Sequence, residues 1–315
     1  MERIVITGAT GFLGKNLTKK FCENGYEVWV LVRPESKSKD KLNEFGDRVH
    51  VLECSIYDTD RIKNVIKSSD AWFHFAWGGV NREEIDSSEV QNQNIRMSLC
   101  AIQAAKILGC KVFMDAGSRV EYGVTDKIMK ESLECHPVNE YGKAKLEFYR
   151  EAVEACKKAD MKYCHLRFFS VYGYGDHPWS IISTLLHELP LGNKVKLSAC
   201  EHKWNFMYID DAIDAVYALY LAVIRNHTFE NGIFNIASAD TRKLKEFVIE
   251  IHKILKEEGT LEFGTFVQAK EGALSIIPDI TALQEITAGW KEQYIFEKGI
   301  KETIRKGISE TNEKN

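Results

Sequence analysis

Ile4-Val5-Ile6-Thr7-Gly8-Ala9-Thr10-Gly11-Phe12-Leu13-Gly14 is the stretch on which the reading of this chain turns. A short β-branched run ends in three glycines spaced by three. A helical pattern then starts at Phe12, with Leu13, Leu17 and Phe21 on one face. The order is strand, tight turn, helix. The glycines have separate uses: one allows the turn, one lets backbone approach a pyrophosphate, and one lets helix pack close to strand. An anion would then sit on the free N–H groups and positive dipole end of the helix. A P-loop does not fit, because Gly8 and Gly14 enclose five residues and Lys15 is followed by Asn16. A phosphate-bearing dinucleotide is the first expectation, and a plain core turn is its competitor.

Working outward, 315 residues with 44% hydrophobic and 28% charged residues give ordinary globular composition, enough for one large or two modest domains. A formal net charge of -4 without a basic cluster speaks against a nucleic-acid partner. The eight cysteines include no CxxC pair and sit among apolar residues. They read as reduced core thiols of a cytoplasmic protein, with no metal site expected. The longest apolar run, Ala215 to Ile224, is too short to span a membrane and reads as a buried helix.

Glu27 to Val32 is a near-continuous hydrophobic strand, as parallel strands covered on both faces usually are. At its end an acidic residue would meet a ribose 2′-OH, whereas an arginine suits a 2′-phosphate. Arg33 stands there, which favours NADP(H) and leaves NAD(H) possible. Further strands follow at Val49 to Leu52, Ala71 to Phe75 and Lys111 to Met114, with helices near Asp58 to Ile66 and Ser87 to Leu108 between them. Such alternation implies right-handed crossovers and a doubly wound parallel α/β sheet, whose ligands bind beyond the carboxyl ends of the strands. The loops at Gly8, Arg33, Ser55, Ala76 and Ser118 should therefore line one rim. His74, inside a strand, is expected to be a satisfied core histidine.

After the fifth strand comes Ala116-Gly117-Ser118-Arg119-Val120-Glu121-Tyr122-Gly123, then a helix containing Tyr141-Gly142-Lys143-Ala144-Lys145. Tyr141 and Lys145 are four apart and share a helix face. A nearby ammonium would lower the tyrosine pKa from about 10 and make the hydroxyl a usable acid or base. Ser118 could hold the reacting oxygen. Tyr294 and Lys298 have the same spacing, so the motif alone decides nothing. That second pair lies far from any strand end and is set aside.

With these residues in view the chain resembles the extended short-chain dehydrogenases/reductases, in particular the nucleotide-sugar epimerase/dehydratase group. The likeness runs through Thr7 to Gly14, Phe73-His74-Phe75-Ala76, Asn94, Ser118 with Tyr122-Gly123, Tyr141 with Lys145, Leu166 to Gly173, Phe206 to Asp211, Phe234-Asn235-Ile236 and Ala288-Gly289-Trp290. It implies a Rossmann sheet domain over 1–175, taking in about 206–237, and a substrate lobe from 176–205 and 238–315. It makes Tyr141 the acid/base, Lys145 the holder of the nicotinamide ribose, and Ser118 the partner of the sugar hydroxyl or ketone. It puts Gly8, Gly11, Phe12, Leu13, Gly14, Arg33, Ser55, Ile56, Phe75, Ala76, Phe168 and Val171 on the cofactor, and Trp77, Ser170, Lys203 and Trp204 on the sugar nucleotide. A homodimer through helices near 87–108 and 139–157 is implied as well.

Departures from the family pattern narrow the chemistry. The family's 4,6-dehydratases carry an acidic residue two places after the serine, where this chain has Val120. Trp204-Asn205-Phe206 replaces the usual Arg-Asp-Phe, so Lys203 or Trp204 would have to serve the nucleotide, and Cys54-Ser55-Ile56 replaces the usual Asp. What remains is hydride chemistry at one carbinol, with C4 expected. A 4-keto reductase is the leading expectation, ahead of a 4-epimerase with retained NAD. A non-catalytic NADP(H)-sensing protein is the alternative from another class.

Overall fold

The computed structural model describes residues 2–81, 83–265 and 275–313, with side chains through 309. In chain order its first half comprises β1 (Arg3–Thr7), α1 (Phe12–Glu23), β2 (Glu27–Val32), β3 (Val49–Glu53), α2 (Thr59–Ile66), β4 (Ala71–His74), α3 (Ser88–Leu108), β5 (Val112–Ser118), α4 (Glu140–Lys158) and β6 (Lys162–Phe168). Then follow β7 (Ser170–Tyr172), α5 (Ile181–Glu188), β8 (Lys194–Lys196), β9 (Lys203–Tyr208), α6 (Ile209–Arg225), β10 (Asn231–Ile236), β11 (Thr241–Lys243), α7 (Leu244–Ile254), β12 (Thr260–Glu262), α8 (Thr281–Ile286) and α9 (Phe296–Glu313).

Seven strands make one sheet in the order β10-β6-β5-β4-β1-β2-β3, parallel throughout. The sheet order reverses at β1, so the crevice of a doubly wound fold opens between the ends of β1 and β4. Side chains alternate across each strand. Ile4 and Ile6 therefore enter one core with α1 and α6, while Val5 enters the other with α2, α3 and α4. In the first core the fully buried Phe21 meets Phe73, Tyr217 and Tyr220 ring to ring. Its truncation to alanine would cost about 3–5 kcal/mol.

The run Ala215 to Ile224 lies within α6, which packs its apolar face on the sheet. His74 is buried, with Nδ1 on Thr7 Oγ1 and Nε2 on Ser98 Oγ, both at 2.8 Å. Burial drives its pKa down to about 3, so the ring is neutral. No helix among the described residues is long and apolar enough to cross a membrane. No group of His, Cys, Asp and Glu among them could hold a metal ion.

Beyond β6 only Phe169 separates the large sheet from β7, which begins a second sheet ordered β11-β9-β7. A two-stranded piece, β8 with β12, lies further out. Phe206 on β9, Phe247 on α7 and Phe296 on α9 stack together behind the second sheet. Expected and observed strands agree within a residue or two. The difference is β5, which runs on to Ser118 and delivers that serine directly from the sheet.

Candidate active site

The glycine turn forms as its sequence requires. Gly8 has φ +78, and a Cβ there would collide with the Phe75 carbonyl carbon. A Cβ on Gly14 would run into the Gly8 carbonyl oxygen. Gly11 caps α1 without a side chain, no acidic residue occupies the first turn, and the first intrahelical bond is Lys15 N–H to Gly11 O. The N–H groups of Phe12, Leu13 and Gly14 thus precede the helical ladder and suit an anionic group. The chain around them fits a pyrophosphate.

Around this turn stand the other residues assigned to the cofactor. Phe75 follows β4, donates its N–H to Thr7 O at 3.0 Å and packs its ring edge-on against Phe168. Asn94 grips the Gly78 backbone twice, N–H to Oδ1 and Nδ2 to O, both at 2.9 Å, which fixes the loop after Ala76. Ser55 closes the turn after β3, and Ile56 packs on the second core. Arg33 is exposed at the end of β2, while neighbouring Lys39 pairs with Glu53 at 3.2 Å.

Ser118 caps a 3-10 turn over Arg119–Tyr122. Its Oγ accepts from Val120 N at 3.4 Å, and its own N–H donates to Glu121 Oε1 at 2.7 Å, a reciprocal capping box. Tyr141 lies in the first turn of α4, whose cap is Asn139. The Ser118 hydroxyl and the Arg119 guanidinium each act on the phenol to lower its pKa. Burial nevertheless pushes the Tyr141 pKa up to about 12, against the lowering from Ser118 and Arg119. Lys145 is buried. Its ammonium donates to Ala116 O at 2.6 Å and sits 3.5 Å above the Trp77 ring centre, which in turn meets Tyr141 edge-on. Burial pulls Lys145 down to about 7 against Asp115 and Glu121.

The structure therefore brings Ser118, Tyr141, Lys145 and Trp77 together, with one difference from expectation. Burial keeps Tyr141 a neutral phenol, while the Lys145 ammonium, 5.8 Å from the Tyr141 ring centre, contacts the Ala116 carbonyl and the Trp77 face. The Tyr294/Lys298 pair lies elsewhere: Lys298 rests on the Tyr294 ring, and the Tyr294 N–H is held by Asp211.

Sequence reasoning missed what lies behind Ser118. In register, Asp115 on β5 faces His165 on β6. His165 bonds to Asp115 Oδ1 through Nδ1 at 3.0 Å and to Glu121 Oε2 through Nε2 at 2.9 Å. Arg167 donates to Glu121 Oε2 at 2.8 Å, and Tyr163 to Asp115 Oδ1 at 2.8 Å. All five side chains are buried. Burial would raise the Glu121 carboxyl, yet His165 and Arg167 hold it at about 2. A Cβ on Gly117 would lie 2.5 Å from His165 Nε2, so that position must stay bare.

Of the residues assigned to the substrate, Ser170 and Trp204 line a cavity with Phe169, Val171, Asp176 and Phe206 among others, whereas Trp77, Ser118 and Lys203 do not line it. Ser118 pairs in register with Phe168, one residue short of that wall. Lys203 opens β9 and is exposed, its N–H bound to Ser275 Oγ. Asn205 is structural: its amide donates to Ser238 O at 2.8 Å and Asp240 O at 3.1 Å.

Residues 4–237 match the model of the NAD dependent epimerase/dehydratase family. A CDP-abequose synthase of Yersinia pseudotuberculosis is 25% identical over 264 residues, 84% of this chain and 88% of that one. Among solved structures, the UDP-glucose 4-epimerase of Thermotoga maritima, with UDP-glucose, superposes with a TM-score of 0.85 at 22% identity, over 98% of this chain and 99% of the other. A UDP-glucuronic acid 4-epimerase variant from Bacillus cereus, in complex with a fluorinated UDP-sugar and NAD, gives 0.82 at 19% identity over 98% and 99%. The last two likenesses are of fold. This chain belongs to the NAD dependent epimerase/dehydratase family, a family of enzymes.

Proposed function

We propose that the chain carries out oxidoreduction at one carbon, C4, of a nucleotide-activated sugar, and that it runs as a 4-keto reductase using NADPH. The observation that carries this reading is the convergence of Ser118, Tyr141 and Lys145, with the Lys145 ammonium 5.8 Å from the Tyr141 ring centre and Ser118 acting on the phenol. The nicotinamide, when bound, supplies the hydride. Tyr141, protonated at neutral pH, gives its proton to the ketone oxygen as that oxygen gains charge, and Ser118 holds the same oxygen in place. Lys145 holds the nicotinamide ribose, and its positive charge favours the tyrosinate left behind.

The reducing direction is supported by a tyrosine kept neutral and by Val120 standing where elimination would need an acid. The choice of NADPH is supported by Arg33, exposed at the end of β2 and free of the ion pair that occupies Lys39. Family membership favours a second reading, a 4-epimerase that keeps NAD and returns hydride to its own substrate. The test is to ask whether the purified protein carries cofactor through gel filtration, then to titrate the empty form with NADPH and NADH. A retained NAD overturns the reductase reading, and an empty site that prefers NADPH supports it.

The same reading assigns the cofactor lobe to 1–175 with about 206–237 and the substrate lobe to the remainder. It assigns a two-fold interface to α3 and α4, which pack side by side in one chain. Eight free cysteines, five of them buried, suit a cytoplasmic setting.

A further inference from the structure

Trp77 follows β4 and the Phe75-Ala76 pair, is half-buried, and does not line the cavity that Ser170 and Trp204 wall. Its indole lies under a charge instead. The Lys145 ammonium sits 3.5 Å from the ring centre, well inside the range of about 6 Å over which a cation is drawn to a ring face. The indole is fixed from its other end: Nε1 donates to Gln91 Oε1 at 2.9 Å, and the buried Gln91 donates through Nε2 to Gly79 O at 2.9 Å. Asn94 Nδ2 adds a bond to the same Gln91 oxygen at 3.3 Å. The two carboxylates that act on Lys145, Asp115 and Glu121, are both bonded to His165. A charge taken out of water needs compensation. The buried ammonium finds it on a carbonyl, Ala116 O at 2.6 Å, and on an aromatic face.

We propose that Trp77 is a positioning residue that acts through Lys145: its indole face keeps the buried ammonium charged and in place beside Tyr141, rather than walling the sugar. This rests on the reading under Proposed function for what Lys145 does there. A ring face favours positive charge without gripping it as a carboxylate would, so the N–H donors are not tied up in an ion pair and remain for hydroxyl oxygens. The titratable groups that act on Lys145 or lie beside it are Asp115 on β5, Glu121 in the turn after it, Tyr141 one turn earlier on α4, and His74 on β4, which burial keeps neutral. Substitution at Trp77 leaves all four in place. Burial pulls Lys145 down, and the face opposes burial just as the two carboxylates do. Removing the face must therefore lower the lysine pKa further.

The test is a pH titration of the full chain by NMR, with carbon-13 at lysine Cε and the Lys145 signal identified by its absence in Lys145→Met. Trp77→Phe keeps a weaker face and Trp77→Leu keeps none. The Lys145 midpoint should be highest in the native chain, lower in Trp77→Phe and lowest in Trp77→Leu, a fall of about 0.5–1.5 pH units in all. Growth on 5-fluorotryptophan leaves the packing of all six tryptophans in place and draws electrons from the rings, so it should move the midpoint the same way. Equal midpoints in the native chain and both variants overturn the proposal. So does a rise, which would make the indole a screen against water and nothing more. Where Trp77→Leu does not fold, the fluorinated chain decides, and an unmoved or raised midpoint there overturns the proposal. With a 4-keto nucleotide sugar and NADPH, the alkaline limb of kcat should move to lower pH by the same amount. A limb that stays while the midpoint moves overturns the role of Trp77 in the reaction. A shifted midpoint in a chain that turns over no such substrate sinks the redox reading and leaves Trp77 as the partner of Lys145.

Discussion

The backbone N–H of Ser118 donates to Glu121 Oε1 at 2.7 Å, while the other oxygen of Glu121 is shared by His165 and Arg167. The serine assigned to the substrate is thus held through a buried carboxylate that two cations keep ionised. Removing one partner of such a cluster leaves uncompensated charge, whereas the intact cluster adds little net stability. Glu121→Ala should lower unfolding free energy by about 3–5 kcal/mol in urea. Glu121→Gln, which keeps an acceptor for Ser118, should cost less. Equal losses in the two variants would mean that the charge, not the hydrogen bond, is what matters.

His165 makes the same cluster sensitive to alkali. Burial would lower its pKa, but Asp115 and Glu121 raise it to about 9, above the unfolded value of about 6.5. The stabilisation is therefore whole below about pH 6.5 and is lost as pH rises through about 9. Urea midpoints at pH 7 and pH 10 should differ in the native chain, with the lower at pH 10. In His165→Gln the gap should narrow, and an unchanged gap would assign the alkaline loss to other groups.

Tyr141→Phe keeps the ring against Trp77 and removes only the hydroxyl. Turnover of a 4-keto nucleotide sugar should fall by about 10²–10⁴, with cofactor affinity within twofold or so of native. An unchanged rate would move the proton donor elsewhere. An unchanged biological effect of the variant would instead favour the sensing protein over the enzyme.

Arg33→Ala should weaken NADPH by about tenfold and leave NADH alone, because the guanidinium would touch only the 2′-phosphate. Fluorescence titration of both cofactors decides it. Parallel losses would show that Arg33 supports the loop and does not select the cofactor.

Gly14→Ala would drive a methyl group into the Gly8 carbonyl, which is backbone and cannot rotate away. Cofactor binding should be lost, with a fall in stability of about 1–3 kcal/mol from the forced shift of α1. Native affinity in this variant would show that the turn can open without affecting the anion cradle.

The fold and the grouping of Ser118, Tyr141 and Lys145 are legible in the sequence because each rests on local chemistry. Gly8, Gly11 and Gly14 announce a strand-turn-helix, and the rule that ligands gather at carboxyl strand ends then places Ser118 beside it. Tyr141 and Lys145 need only helical spacing. The Asp115-His165-Glu121-Arg167 cluster is different: its members come from three segments, and they meet only through the β5–β6 register. One signal does lie in the sequence, since Tyr163, His165 and Arg167 alternate with Cys164, Leu166 and Phe168 and so share one face. The contact of Lys145 with Ala116 O was hidden for the same reason, because a four-residue spacing fixes a helix face and not what that face meets.

The join at Phe169 carries a consequence for how this chain can diversify. Phe168 ends the seven-stranded sheet and Ser170 begins the wall of the neighbouring cavity, with a single residue between them. An insertion there would shift both walls at once, and a one-residue slip would turn every β7 side chain to the opposite face. Changes of length are thereby confined to segments such as 176–180 and 198–202, outside the strands. New ligand preferences must otherwise arise by exchange of side chains on a fixed frame, at cavity-lining positions such as Ser170 and Trp204.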